Sequence, residues 1–364
     1  MTQKISKSIV ITGTHLTPAL ELIRQLQSDS KINWQIHYIG RNSNSNDSLN
    51  ISIESQIIPK LGIKFYGINC GKLDRRFLPN TITGIPKTIS GFLKSSQLIK
   101  KIKPDLVISF GGYVSVPVIF NSWLQKIKSI THEQTLTNSL TTKINNLFVN
   151  KVALSFNNPK QIKELNPKKI AITGNLLRYQ LFNSKTSKPI KKITNKKPII
   201  YITAGNQGSH CINLLIKKIL PILTKFQVIH QTGKTDYLNF KKLENKYSFY
   251  LVFDYLETPT IAWILNHSNI IISRSGANTS QEIVAFNLKS ILIPLQKSQQ
   301  NEQILNANWV KSQLPQSTII INQNNLTSKT LLSAISYLNS VKKTISSKSK
   351  QPNLNLLKLI HELV

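Results

Sequence analysis

Apolar runs of strand length alternate along this chain with segments in which apolar residues recur at helical spacing. The strand-like runs are SIVITG, WQIHYIG, DLVISFGG, KVALSF, PIIYITAG, FQVIHQTG, NIIISRSG and SILIPL, and most end in Gly or Ser before a helical segment. This alternation predicts an α/β fold with parallel sheets, because consecutive parallel strands need a crossover that is usually a helix. It also predicts where ligands bind, since strand ends and helix N-termini converge along one edge of an open parallel sheet.

Two stretches repeat in kind. IVITGTHLTPALELIRQL resembles IIYITAGNQGSHCINLLIKKIL: strand, glycine turn, a histidine (His15 or His210), then an amphipathic helix. DLVISFGGYVSVPVIF is similar in the same way to NIIISRSGANTSQEIVAF. Two Rossmann-like halves facing one another across a cleft account for this order. At 364 residues the chain also exceeds the size at which one core keeps growing. The joint is expected near NPKKIAITGNLLR, Asn166 to Arg178, because the polar, Lys-rich NSKTSKPIKKITNKKP after it reads as an exposed connection before the first strand of the second half. The expected division is 1–172 for the first, 173–339 for the second, and 340–364 for a linker with a short amphipathic helix that packs back on the first.

Composition narrows the function classes. The formal charge is +32, from 47 Lys and Arg against 15 Asp and Glu. Lysines are scattered from Lys4 to Lys358, with no arm or helix concentrating them as a phosphate-tracking stripe would. The charge therefore reads as a biased composition, with no nucleic-acid partner, and is compatible with an anionic one. Cys70 and Cys211 lie too far apart in sequence to suggest a disulfide framework or a zinc site. No His/Cys/Asp cluster has metal spacing, so neither a protein-held metal nor another cofactor is expected. The N-terminal apolar run breaks at Gly13, too short for a signal segment, and no stretch approaches the ~20 apolar residues of a membrane span.

AGNQGSH, Ala204 to His210, is a glycine-bearing turn from strand to helix whose amides and helix dipole suit a diphosphate. Its spacing matches neither a dinucleotide fingerprint nor a Walker loop. SGANTSQE adds a second turn followed by Glu282. A carboxylate grips a ribose through two hydroxyls, while an acid in an opening helical turn is equally explained by the dipole. His15 is either a base or a residue that starts a helix. THEQ places His132 and Glu133 just after the strand-like run IKSI.

Taken together, TGTHLTP, SFGGYVSVP, THEQ, TGNLLR, AGNQGSH, HQTGK, SRSGANTSQE and QNEQILNA stand in the order of the motifs of the MurG family, which the chain resembles from about residue 9 to 310. The resemblance implies a GT-B glycosyltransferase that moves N-acetylglucosamine from UDP-N-acetylglucosamine to lipid I with inversion, giving lipid II in peptidoglycan synthesis. It implies a peripheral enzyme on the cytoplasmic face of the cell membrane. Partners would be the nucleotide sugar, lipid I and the anionic membrane surface.

By the same resemblance the second half holds the donor. Gly205, Asn206, Gln207 and Gly208 would meet the diphosphate, with Arg178 nearby. Ala277, Asn278, Thr279 and Glu282 would line the nucleotide, Glu282 on the ribose, and Gln303 would touch the sugar. Tyr255 and Leu256 resemble the pair beside the uracil. In the first half Thr12, Gly13, Thr14 and His15 would face the transferred sugar, with His15 as catalytic base, and Gly111, Gly112 and Tyr113 would form an acceptor loop with His132 and Glu133 beside it. Thr14, Val116, Thr135 and Ser139 stand where the family has Gly, Gly, Asn and Gly, which puts the acceptor side in question. The alternatives are a related GT-B enzyme acting on a diacylglycerol-type lipid, and a non-catalytic UDP-sugar or anionic-polymer binder.

The stretch from Arg75 to Lys103 interleaves Ile82, Ile85, Ile89, Phe92 and Leu93 with Lys87, Lys94, Lys100 and Lys101. This pattern fits either an apolar face ringed by charges that favour anionic lipid or a buried helix with a basic edge.

Overall fold

Every strand-like run of the sequence forms a strand. The computed structural model describes residues 4–42, 52–71, 85–183, 193, 197–205, 207–296, 301–342 and 353–364. Contacts divide the chain into one unit of Met1–Leu176 with Asn353–Val364 and a second of Leu177–Pro352.

The first unit contains β1 (Ile5–Thr12), β2 (Ile32–Arg41), β3 (Lys64–Ile68), β4 (Leu106–Ser109), β5 (Lys128–Glu133), β6 (Lys151–Leu154) and β7 (Ile170–Ile172). They form a parallel seven-stranded sheet ordered β3-β2-β1-β4-β5-β6-β7. Side chains of a strand point alternately to its two faces, so the continuous apolar run of β1 feeds two cores. Ile9 and Ile11 pack with Leu22 and Leu26 of the helix α1 (Leu16–Gln27), whereas Val10 packs with Ile39, Val107, Val118 and Ile119 on the other face. The C-terminal helix Asn355–Leu363 joins the first of these cores through Leu356, Leu359 and Ile360. At roughly 1.5–3 kcal/mol for each buried aliphatic side chain, those three residues dominate its anchoring.

In the second unit β8 (Ile199–Thr203), β9 (Gln227–Gln231), β10 (Tyr250–Phe253), β11 (Ser268–Ser273), β12 (Lys289–Leu292) and β13 (Thr318–Ile320) form a parallel sheet ordered β10-β9-β8-β11-β12-β13. Ile200 and Ile202 face one core and Ile199 and Tyr201 the other. The strands that the apolar pattern left unmarked are β3, β7, β10 and β13. All four lie at the end of a sheet, where short runs with polar residues suffice. β5 extends the run IKSI so that His132 and Glu133 are its last two residues, inside the strand rather than after it. Among the described residues no helix is long and apolar enough to cross a membrane.

Candidate active-site loops

In the first unit the carboxyl ends of β1 and β4 carry two glycine turns that interlock. Gly13 has φ +134°, and a Cβ there would lie 2.7 Å from the carbonyl oxygen of Gly111. The Thr14 amide donates to that same oxygen at 3.1 Å, the Phe110 amide donates to Thr12 O at 2.7 Å, and the buried Tyr38 hydroxyl donates to Gly13 O at 3.0 Å. Gly112, at φ +82°, passes so close to Thr14 that a Cβ would lie 2.2 Å from its hydroxyl. Gly13 meets backbone and Gly112 meets the Thr14 side chain, and at these positive φ values only glycine fits either position. Thr14, which replaces a glycine of the family pattern, is thus accommodated by a glycine opposite.

His15 caps the start of α1 in an extended conformation, its side chain open to solvent and its ring edge 3.3 Å from where a Cβ on Gly111 would be. The density of protein around it lowers its pKa from the ordinary imidazole value, against the pull of Glu133 and with the help of Arg41. Arg41, the last residue of β2, donates through Nε to the buried Glu54 at 2.7 Å; burial raises the Tyr113 pKa, against the opposing pull of the Arg41 charge.

His132 and Glu133 occupy different environments. His132 is buried against the Phe110 ring, with Nε2 bonded to Gly174 O at 3.2 Å and Nδ1 without a partner. Burial drives its pKa down to about 4. Glu133 accepts hydrogen bonds from the Gln134 amide (3.0 Å), the Thr135 amide (3.2 Å) and hydroxyl (2.9 Å), the Ser139 amide (2.9 Å) and the Thr142 hydroxyl (2.7 Å). With both oxygens engaged it shapes the loop into the helix Leu140–Phe148. Thr135 and Ser139, two departures from the family pattern, are part of that clamp. Thr12 is also fully buried, its hydroxyl without a hydrogen-bond partner.

In the second unit the turn after β8 presses against the turn after β9. Gly205 and Gly208 both have φ +75°; a Cβ on Gly208 would lie 1.8 Å from Thr232 O, and one on Gly233 would lie 2.3 Å from Gln207 O. Asn206 lies outside the described residues. Ser209 precedes the helix His210–Ile219 and accepts from Arg274 Nη2 at 3.0 Å, while Arg274 Nη1 donates to Ile293 O at 3.0 Å.

Glu282 is the sixth residue of the helix Ala277–Ala285, beyond its first turn and buried, so the dipole explanation does not apply. Its partner is Arg178, whose Nη2 donates to Oε1 at 2.8 Å and whose Nη1 donates to Thr258 Oγ1 at 3.1 Å. The family resemblance pointed Arg178 at a diphosphate; here it is bonded to the carboxylate expected to hold the ribose. Ala277, Asn278 and Thr279 form the partly exposed first turn of that helix. Leu256 is buried in the core, whereas Tyr255 is exposed. Gln303 Oε1 accepts from the Leu295 amide at 2.9 Å.

Sequence reading passed over Arg41, Glu54, Thr258 and Arg274. Arg274 lies inside SRSGANTSQE and so was within reach of the motifs. The others come from segments whose local pattern carries no chemical signal.

Known proteins resemble this chain in both domains. The N-terminal domain of glycosyltransferase family 28 matches residues 9–154, and its C-terminal domain matches residues 199–364. A relative from Clostridium tetani (strain Massachusetts / E88), named UDP-N-acetylglucosamine--N-acetylmuramyl-(pentapeptide) pyrophosphoryl-undecaprenol N-acetylglucosamine transferase, is 34% identical over 342 residues, 92% of this chain and 90% of its own. A relative of the same name from Borreliella afzelii (strain PKo) is 36% identical over 354 residues, 95% of this chain and 88% of its own. In fold the chain is similar to the crystal structure of Acinetobacter baumannii MurG, with TM-score 0.69 at 18% identity over 98% of this chain and 99% of that one. It is also similar to UDP-GlcNAc 2-epimerase from Neisseria meningitidis, with TM-score 0.65 at 16% identity over 99% of each chain. With both family domains matched in order and such identity over nearly its whole length, the chain belongs to glycosyltransferase family 28, among the MurG transferases.

Proposed function

We propose that this chain transfers N-acetylglucosamine from UDP-N-acetylglucosamine to lipid I, the undecaprenyl-diphospho-N-acetylmuramoyl-pentapeptide, with inversion at the anomeric carbon to give lipid II. The observation that carries the reading is identity of 34% and 36% to transferases so named over more than nine-tenths of the chain. The motif-bearing loops stand at the carboxyl ends of parallel strands, where open α/β sheets bind ligands.

Inverting transfer requires an acceptor hydroxyl to lose its proton as it attacks, while UDP departs with its negative charge. Among the acid–base candidates of the acceptor loops, His15 is the one with an open side chain and a lowered pKa, hence neutral and able to accept a proton near pH 7. His132 is buried and Glu133 is saturated with donors, so His15 takes the role of base. Glu282 holds the ribose diol, aligned by Arg178. The glycine turn after β8 supplies amides to the diphosphate, and Gln303 reaches the sugar.

The enzyme works peripherally on the cytoplasmic face of the membrane, where its polyprenyl acceptor lies. A surface groove of about 550 Å³ supports this reading, lined by Pro86, Ile89, Ser90, Leu93, Lys94 and Gln97, with Ile89 56% and Leu93 62% exposed on a helix ending in Lys100 and Lys101. Ile82 lies outside the described residues.

The test is transfer from labelled UDP-N-acetylglucosamine to purified lipid I, with a diacylglycerol acceptor in parallel. Lipid II formation alone supports the reading. Transfer to the diacylglycerol alone, or donor binding without turnover, replaces it with one of the alternatives.

A further inference from the structure

The sequence places a histidine after the glycine turn of each half, and the reaction as described uses only His15. His210, its counterpart, is the first residue of the helix His210–Ile219, its side chain 68% exposed. Its Nδ1 lies 2.9 Å from Asp236 Oδ1 and 3.1 Å from Oδ2. Asp236 is only 6% exposed and is held in turn: Asn213 Nδ2 donates to its Oδ2 at 2.7 Å and to Thr232 O at 3.0 Å. Asn213 Oδ1 accepts from His230 Nε2 at 3.0 Å, and His230 Nδ1 accepts from the Tyr250 hydroxyl at 2.8 Å. Burial keeps His230 neutral, with a pKa pushed down to about 3, so the inner end of this chain cannot take up charge near pH 7.

The result is an exposed imidazole whose Nδ1–H is fixed by a buried carboxylate and whose Nε2 is turned to solvent. The same side chains pin the Thr232–Gly233 turn, against which the Gln207–Gly208 turn is pressed. On the other side of Ser209 stands Arg274, bonded to its hydroxyl at 3.0 Å. A cation and an orientable imidazole thus flank the amides that follow β8.

We propose that His210 is a donor-side ligand of the nucleotide sugar: its imidazolium, backed by Asp236, binds the diphosphate and stabilises the charge that develops as UDP leaves. This deepens the function proposed above and rests on it. In the step, the acceptor oxygen bonds to the anomeric carbon and the bond from that carbon to the β-phosphate oxygen breaks, its electron pair passing to the phosphate. The acceptor proton goes to His15. His210 keeps its proton and gives a charge-assisted hydrogen bond that strengthens as the phosphate gains charge.

Binding of UDP-N-acetylglucosamine, followed by calorimetry across about pH 5 to 8, tests the proposal, because this diphosphate diester does not itself titrate over the range in which an imidazole does. Asp236 faces His210 directly, and Arg274 stands on the other side of Ser209. Wild-type affinity should fall about tenfold or more as pH rises, a loss comparable to one charge-assisted hydrogen bond. His210→Gln should bind weakly and without pH dependence, and His210→Arg should bind tightly at every pH. His210→Arg, which keeps a cation beside the buried Asp236, should melt like the wild type, so its tight binding separates the ligand role from a loss of stability. A His210→Gln protein with the wild-type affinity and slope, or a wild type with no slope, overturns the proposal while leaving the functional reading intact. A wild type that does not bind the nucleotide sugar overturns both.

Discussion

Arg178 Nη2 sits 2.8 Å from Glu282 Oε1, joining the second residue of the second unit to the helix after β11. Glu282 is buried, so its charge would be costly without that partner. Glu282→Ala should lower kcat/KM for UDP-N-acetylglucosamine by about ten- to a hundredfold. Arg178→Ala should cause most of the same loss by misplacing the carboxylate, and the double variant should be little worse than either. Steady-state kinetics on the four proteins decide it; fully additive losses would give Arg178 a separate contact with the diphosphate.

His15 leads to a kinetic expectation. A positioned general base contributes ~10² to 10⁴ in rate, so His15→Ala should depress kcat by that order and leave nucleotide-sugar binding largely intact. Because its pKa lies below the ordinary imidazole value, the wild-type kcat should fall on the acid side at a pH below that value. The acid limb should vanish in the variant. A profile retaining both limb and rate would remove His15 from the chemistry.

For the membrane, Ile89→Ser with Leu93→Ser should abolish co-sedimentation with anionic vesicles while leaving the melting temperature within a degree or two of wild type, since both side chains are exposed. Phe92 is a poorer target: it is partly buried, with its ring 5.5 Å from that of Phe120, and its removal would cost packing. Trp123, 49% exposed and 5.8 Å from the Phe120 ring, extends the apolar surface and should contribute to binding. Equal pelleting with neutral vesicles would rule out the electrostatic part.

Stability should fall as pH drops below the ordinary imidazole range. His132 and His230 are held neutral in the fold, with pKa values near 4 and 3, whereas in the unfolded chain they protonate at about 6.5. Between those limits the unfolded state binds more protons, so each group contributes up to about 1.4 kcal/mol of stability per pH unit that is lost on acidification. Thermal melts from about pH 7 to 4.5 should therefore decline steadily. A flat Tm over that range would mean that both rings take up their protons in the native protein as readily as in the unfolded chain.

The alternation of apolar runs was enough to give the two parallel sheets, because a buried parallel strand must be apolar on both faces and its glycine exit is forced by backbone geometry. The glycine turns, the histidines after them and Glu282 were legible for the same reason: they belong to contiguous strand–turn–helix stretches. What each does depends on partners distant in sequence. His132 and Glu133 read alike as neighbours in one motif, yet one is buried with an orphan nitrogen and the other is saturated by Thr135, Ser139 and Thr142. Thr14 fits because Gly112 stands opposite it, and the partners of Arg178 within the protein, Thr258 and Glu282, lie 80 and 104 residues away in sequence. Local pattern dictates backbone path and burial; only the packing of remote loops decides which polar side chain is spent holding the fold and which remains free to act.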